Sequence, residues 1–312
     1  MARKFNIASC LLSLILIFAA CESPLPKSGG SAYDVAVVSE DRLAGSVVMR
    51  ELSLCTETFT AEEPMFQLSQ TTGYSEDDII RLARTLIIVD TADIDNTVCV
   101  RERNVWAHPQ LVLYITTPSA KALSYDIREL RDLIAREIND FERNILIEDI
   151  DRHRNMLLTD SVMKYTGIDM FVPAGMIVAR TAKDFIWLTE NNSDENMSIC
   201  VSRVHKSLVE TDNMKSITHL RDSVMKSYVR GARDGMFYRT VTDSERAEVR
   251  HDTILIRSRW EMEGDAMGGP SVCRILTRGD SVYVAESFIY SPATEKRDRM
   301  RRAEAVVFTI KR

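Results

Sequence analysis

Three apolar runs follow one another with no helix between them: RTLIIVD (84–90), NTVCVRE (96–102) and QLVLYIT (110–116). Each is short, rich in β-branched residues and bounded by polar or Pro-containing segments, the signature of a strand. Pro118 and Ser119 then open a different pattern. From about 119 to 151, apolar residues recur at Ile127, Leu130, Ile134, Ile138, Phe141 and Ile145. Spacings of three and four place them on one face of a helix. The opposite face carries Arg128, Glu129, Arg131, Asp132, Arg136, Glu137, Glu142 and Arg143, whose opposite charges support the helix at i, i+3 and i+4. Strands grouped together and followed by a helix, rather than alternating with helices, predict an α+β fold with largely antiparallel sheets and packed helices.

The same logic extends in both directions. YDVAVVS (33–39) reads as a strand and DRLAGSVVMRELSL (41–54) as a helix with Asp41 near its start, followed by a polar loop containing Pro64. Beyond the long helix, a second is expected near 153–165. Strands AGMIVAR (174–180), DFIWLTE (184–190) and MSICVSR (197–203) follow, then a helix near 212–229. The remainder reads as strands: VRHDTILIRS, RWEMEG, SVCRILTR, SVYVAESFIYS and AEAVVFTIK, with Arg278-Gly279-Asp280 as a hairpin turn. Three strands followed by a helix occur in each half. This predicts two similar α+β subdomains, 33–152 and 153–312, able to form one continuous domain.

The first 20 residues read as a leader rather than as part of the fold. Arg3 and Lys4 precede the short apolar run Ile7–Phe18, and Ala19-Ala20-Cys21 follows. That is the layout of a secretory signal peptide, and the apolar run is too short to span a bilayer as a helix. Cys directly after two Ala residues resembles a bacterial lipobox, with Cys21 as the lipidation site. Residues 21–32, with two Pro and two Gly in ESPLPKSGGSA, read as a flexible tether. Losing Arg3 and Lys4 takes the formal charge from −6 to −8, which argues against nucleic acid as a partner. Cys55, Cys99, Cys200 and Cys273 match no zinc or redox spacing and lie in or beside apolar runs, as expected of buried thiols; the compartment would also permit a disulfide.

No catalytic constellation emerges. GDAMGGPSV (264–272) resembles the nucleophile segment of trypsin-like proteases, but Met267 and Ala266 stand where a Ser is required. SVMK occurs at 161–164 and 223–226 with the Ser-x-x-Lys spacing of penicillin-binding enzymes, without the motifs that accompany it there. DTADIDN (90–96) lacks the Gly and terminal Glu of a calcium loop. No HExxH, phosphate loop or dinucleotide fingerprint occurs. The expectation is a non-enzyme with no metal and no cofactor.

RWEMEGDAMGGPSV belongs to a set of segments with EEPMFQL (62–68), VWAHPQLVLYI (105–115), DMFVPAGM (169–176), DFIWL (184–188), RDSVMKSYV (221–229) and FIYSPATEKR (288–297). Together, in order along about residues 33–310, they resemble a family of Bacteroidetes lipoproteins that form a domain of unknown function. Ser271 and Met176 depart from that pattern, standing where aromatics are usual. The resemblance implies an outer-membrane lipid anchor and a whole-chain architecture, not a chemistry. Candidate contacts for a ligand or partner are Trp106, His108, Gln110, Trp187, Trp260, Asp265, Gly268, Gly269 and Pro270, with a tight strand connection as the plainer reading of 264–270. Arg221-Asp222 reads as a helix-surface pair. Lys296, Arg297, Arg299, Arg301 and Arg302 read as solvated, or as a contact for anionic lipid headgroups.

Three functions fit. The first is a membrane-tethered, periplasm-facing envelope protein that binds or assembles a protein partner, expected to expose an apolar patch. The second is a small-molecule or glycan module, expected to line a pocket with at least two of Trp106, Trp187 and Trp260. The third is an envelope hydrolase.

Overall fold

The computed structural model describes residues 24–58, 62–73, 79–192, 195–250 and 253–310. The leader and Cys21 lie outside them.

The N-terminal half begins with β1 (Asp34–Val38) and α1 (Arg42–Ser53), whose first amides are capped by Asp41. The stretch read as a polar loop holds the small hairpin β2 (Thr56–Thr58) and β3 (Glu62–Pro64), then β4 (Gln67–Thr71). The three apolar runs become β5 (Thr85–Thr91), β6 (Val98–Arg103) and β7 (Leu111–Thr117), and Ser119 caps the long helix α2 (Ala120–Arg152). The sheet order is β4-β1-β5-β7-β6. Its inner ladders, β4 to β1, β1 to β5 and β5 to β7, are parallel, and only β6 runs antiparallel. Parallel strands covered on both sides are apolar without alternation, which explains LIIV and LVLYI. Val37, Ile87 and Leu113 face α1 and α2. Leu86, Ile88 and Val112 face the loops that carry Ile80, Val105 and Trp106.

The C-terminal half opens with α3 (Met156–Thr166), capped by Asn155 and closed by Gly167 at φ +77°. Then come β8 (Met176–Ala182), β9 (Phe185–Glu190), β10 (Asn196–His205) and α4 (Met214–Tyr228). β11 (Tyr238–Thr240), β12 (Arg246–Arg250), β13 (Thr253–Met262), β14 (Gly268–Arg278), β15 (Ser281–Tyr290) and α5 (Arg297–Phe308) complete the chain. One antiparallel sheet runs β11-β13-β14-β15-β10-β9-β8, with β12 also on β13. Arg278-Gly279-Asp280 is the β14–β15 turn, with Gly279 at φ +56°. α3 and α5 pack on one face of this sheet and α4 on the other.

The α+β class holds, and among the described residues nine of the twelve strand ladders are antiparallel. The halves do not share a topology, however. One sheet is mostly parallel and the other wholly antiparallel, so the shared run of three strands and a helix is not a duplication. AEAVVFTI, the described part of AEAVVFTIK, is not a strand but the end of α5 and the two residues after it. Its β-branched run resembles a strand, yet Met300, Ala303, Val307 and Ile310 recur at three and four and are all buried.

Two further readings change. Residues 26–29 are not free tether: His108 N donates to Pro26 O at 2.9 Å, Gly29 N to Leu82 O at 2.8 Å and Arg84 N to Gly29 O at 3.0 Å. Such pairing uses backbone alone, so composition gives no sign of it. Nor are the basic residues of α5 solvated as a group. Arg297 and Arg301 are buried, and Arg299 pairs with Glu190 and Glu195, which leaves Arg302 exposed.

Those arginines join the halves. Arg297 Nη1 donates to Pro64 O at 2.7 Å, Arg301 donates to Met65 O, and the Arg301 guanidinium lies 3.2 Å from the centre of the Tyr33 ring. α5 has no capping side chain of its own. Instead Glu63, from the other half, accepts from the amides of Lys296 (3.0 Å) and Arg297 (2.8 Å), a carboxylate where the helix terminus is most positive. Glu63→Ala is expected to lower stability by about 1–2 kcal/mol; an unchanged denaturant midpoint would show that the cap contributes nothing.

Candidate functional site

Where α2, α5 and the β12–β13 hairpin converge, the halves leave a groove of about 710 Å³. Arg131, Asp132, Ala135, Arg136, Asn139, Asp140 and Arg143 of α2 form one wall. Glu248, Val249, Leu255 and Arg257 form the other, with Leu54, Cys55, Met65 and Phe308 completing the lining. Glu304 of α5 ties the walls together. It accepts from Arg143 Nη1 at 3.0 Å, and from Arg257 at 2.9 Å through Nε and 2.8 Å through Nη2. Arg257 also donates to Glu248 at 2.9 Å, and Arg143 stacks on Phe308 at 4.1 Å. Burial opposes the charge on Arg257, but Glu304 and Glu248 outweigh it and hold the guanidinium above its ordinary range. Arg131 reaches Asp132 and Glu51. Among the described residues Arg136 has no hydrogen-bond or ion-pair partner, and it is exposed. Burial, opposed by Arg131, pushes the Cys55 thiol up, which argues against a reactive thiolate.

A second polar cluster lies behind α4. Arg221 is not on the helix surface but fully buried. It donates to Glu286 through Nε at 3.1 Å and Nη2 at 2.7 Å, and to Ser258 at 3.3 Å. Tyr238 Oη also donates to Glu286, and Ser258 and Ser271 are 2.8 Å apart. Burial and the Glu286 charge push the Tyr238 phenol up, so it stays protonated as a donor. The signal was present in the sequence: Arg221 sits four residues from both Ile217 and Met225, on the buried stripe of α4. Asp222, beside it, caps nothing on its own helix but accepts from Thr240 N at 2.9 Å and Oγ1 at 2.8 Å. Cys200 and Cys273 flank Glu286 on neighbouring strands. Two strand spacings, roughly 10 Å, separate them, too far for a disulfide, and all four described Cys are free thiols.

The structure makes the GDAMGGP segment the β13–β14 connection. Gly264 turns at φ +79°, Asp265 Oδ1 accepts from Ala266 N at 2.6 Å, and Met262 N bonds Met267 O at 2.9 Å. Trp260 is core: its Nε1 donates to Ile289 O at 3.0 Å, and its ring stacks on Tyr238 at 5.4 Å. Trp260 is directly opposite Gly269, and a Cβ at Gly269 would lie 2.1 Å from Ile289 O and 3.3 Å from the indole nitrogen. Only Gly lets the indole cross β14 to that carbonyl. Pro270 sits just outside the β14–β15 ladder, which starts at Ser271, so its missing N–H breaks no bond there.

The other candidates are dispersed. Gln110 is fully buried; its Oε1 accepts from Trp106 N at 2.9 Å, and its Nε2 donates to Arg81 O and Ala83 O at 2.6 and 2.8 Å. Trp106 lies under Arg81, 4.7 Å from its guanidinium. His108, exposed, precedes a cis bond to Pro109. Trp187 and Trp260 share the cluster behind α4, while Trp106 lies in the other half, and none lines the groove. Among the described residues no group of three His, Cys, Asp or Glu is placed to hold a metal, and no helix is long and apolar enough to cross a membrane.

Residues 28–151 match the family described as Domain of unknown function (DUF8532), and residues 155–309 match Domain of unknown function (DUF4837). Two domains of unknown function cover nearly the whole chain. No curated protein matches it. Among solved structures it resembles cyanobacterial PsbP (CyanoP) from Synechocystis sp. PCC 6803, at 13% identity over 46% of this chain and 86% of that one, with a TM-score of 0.31. The Saccharomyces cerevisiae Ran-binding protein Mog1p is similar at 15% identity over 46% and 84%, TM-score 0.29. A STAR-related lipid transfer protein fragment from Xanthomonas axonopodis is similar at 14% over 44% and 92%, TM-score 0.24. These likenesses are too weak to bear on ligand or partner.

The DUF4837 half yields two tests. Arg221→Met alone strands Glu286 in the core and is expected to cost about 3–5 kcal/mol, whereas Arg221→Met with Glu286→Leu regains most of it; equal losses in both would refute the pairing. Gly269→Ala is expected to cost about 1–3 kcal/mol by overpacking and to shift Trp260 fluorescence. Wild-type melting and emission would count against the crossing indole.

Proposed function

We propose that the protein is a non-enzymatic, membrane-tethered envelope factor that docks a protein partner in the groove between its two domains. The observation that carries this is the groove lining: exposed apolar Leu54 and Val249 beside arginines, one of them, Arg136, unpaired among the described residues. Exposed apolar side chains set among arginines are a combination that protein interfaces use. The buried Arg221 cluster supports a structural rather than a catalytic role, because its groups are satisfied by one another and closed over by α4.

The proposal includes the anchor. Cys21 carries the lipid, the outer membrane is the site, and the body faces the periplasm; nucleic acid is not a partner, consistent with the net charge of −6. A small-molecule or glycan module is the second reading. The groove volume of about 710 Å³ suits one, but Phe308, the one aromatic among its described lining residues, is already covered by Arg143.

In-cell photo-crosslinking from Leu54 and from Val249 tests the docking role. One envelope protein is expected from both positions and is expected to be lost with Arg136→Glu at unchanged melting temperature. Different proteins from the two positions, or insensitivity to Arg136→Glu, would remove the groove from consideration.

A further inference from the structure

Among the described residues β12 is an open edge: it pairs with β13 on one side only, and Arg246, Ala247, Glu248 and Val249 are all exposed. An unpaired edge offers a row of free N–H and C=O groups to another strand. Glu248 and Val249 are consecutive, so their side chains point to opposite faces of the sheet. Both nevertheless line the groove, so the groove wraps around the edge itself rather than lying on one face. Across it stands α2, with Arg131 and Arg136.

We propose that the groove takes an extended, acidic polypeptide segment that pairs as an added strand with the free edge of β12 and sets its carboxylates against Arg131 and Arg136. This rests on the docking role proposed above and names its partner class. A backbone is required because only a polypeptide presents alternating donors and acceptors to a strand edge. Negative charge is required because Arg136 is an exposed cation without a partner among the described residues, whereas the acidic groups around it are engaged: Glu304 by Arg143 and Arg257, Glu248 by Arg257, and Asp132 by Arg131. A second copy of the same edge fits poorly. Antiparallel pairing about Glu248 would set Glu248 against itself, and like charges directly opposite are destabilising. The length of β12, about five residues or roughly 17 Å, sets the length of the paired segment.

The test uses the full chain in detergent with two fluorescent peptides, one alternating Glu and Val and one alternating Lys and Val. The acidic peptide is expected to bind saturably, to slow amide exchange in residues 246–250, and to bind at least tenfold more weakly to Arg136→Glu. The basic peptide is expected not to bind. Adjacent N–H groups of a strand point to opposite sides, so one of Ala247→Pro and Glu248→Pro removes an outward donor while leaving the β13 ladder intact. The variant that melts like wild type is expected to lose the acidic peptide. If Arg136→Glu abolishes binding while both Pro variants bind normally, strand addition is wrong and the docking groove stands. If neither substitution type matters and crosslinking from Val249 is also indifferent to them, both readings fall. Binding of phosphatidylglycerol vesicles with no binding of the acidic peptide would replace the polypeptide by a lipid surface.

Discussion

Helix α5 borrows its N-terminal cap. Glu63, on a short hairpin of the other domain, supplies the carboxylate that the first amides of α5 lack in their own sequence. Arg297 and Arg301 return the connection by donating to the backbone of residues 64 and 65. Hydrogen bonds with a charged partner are stronger than neutral ones, and here several act between segments more than 230 residues apart. With α5 so held, its C-terminal end brings Glu304 and Phe308 between α2 and β13. The groove is thus a product of the domain junction.

The second constraint sits on the far side of the antiparallel sheet. Burying Arg221 and Glu286 gains little over an apolar pair of similar volume. What the pair supplies is registration. A helix held only by Ile217, Met225 and their neighbours could slide along a smooth apolar sheet; a buried guanidinium tied to Glu286, Ser258 and Glu245 resists that. The sheet makes room for it with small side chains, Ser258, Ser271 and Cys273, beneath α4.

Much of the architecture was legible because it is local. The 3.6-residue period of α2 and the unbroken apolar runs of β5 and β7 declare themselves. β4 (QLSQT) did not, because it is a polar edge strand held by the parallel partner β1. α5 was hidden because Ala-Val-Val-Phe carries strand propensity that tertiary burial and a borrowed cap override. Trp260 and the Gly268-Gly269-Pro270 run stood out, but they lie away from the groove, and Gly269 is there to let the indole cross a strand. The groove residues did not stand out. They come from five separated segments, and no spacing in the chain relates Arg136 to Val249. Gln110, named as a contact candidate beside Trp106, is spent on satisfying the backbone of its own loops.

The pairing of residues 26–29 with the loops at 82 and 108 has a mechanical meaning for the proposed lipid anchor. If acyl chains are attached at Cys21, as proposed, the reach from anchor to body is counted to Pro26. Five residues span at most about 18 Å when fully extended. The body would then ride on a short leash fixed beside Trp106 and His108, and that corner would be held close to the bilayer. Partners would have to approach within a narrow shell above the membrane, where two tethered molecules meet at a far higher effective concentration than free ones.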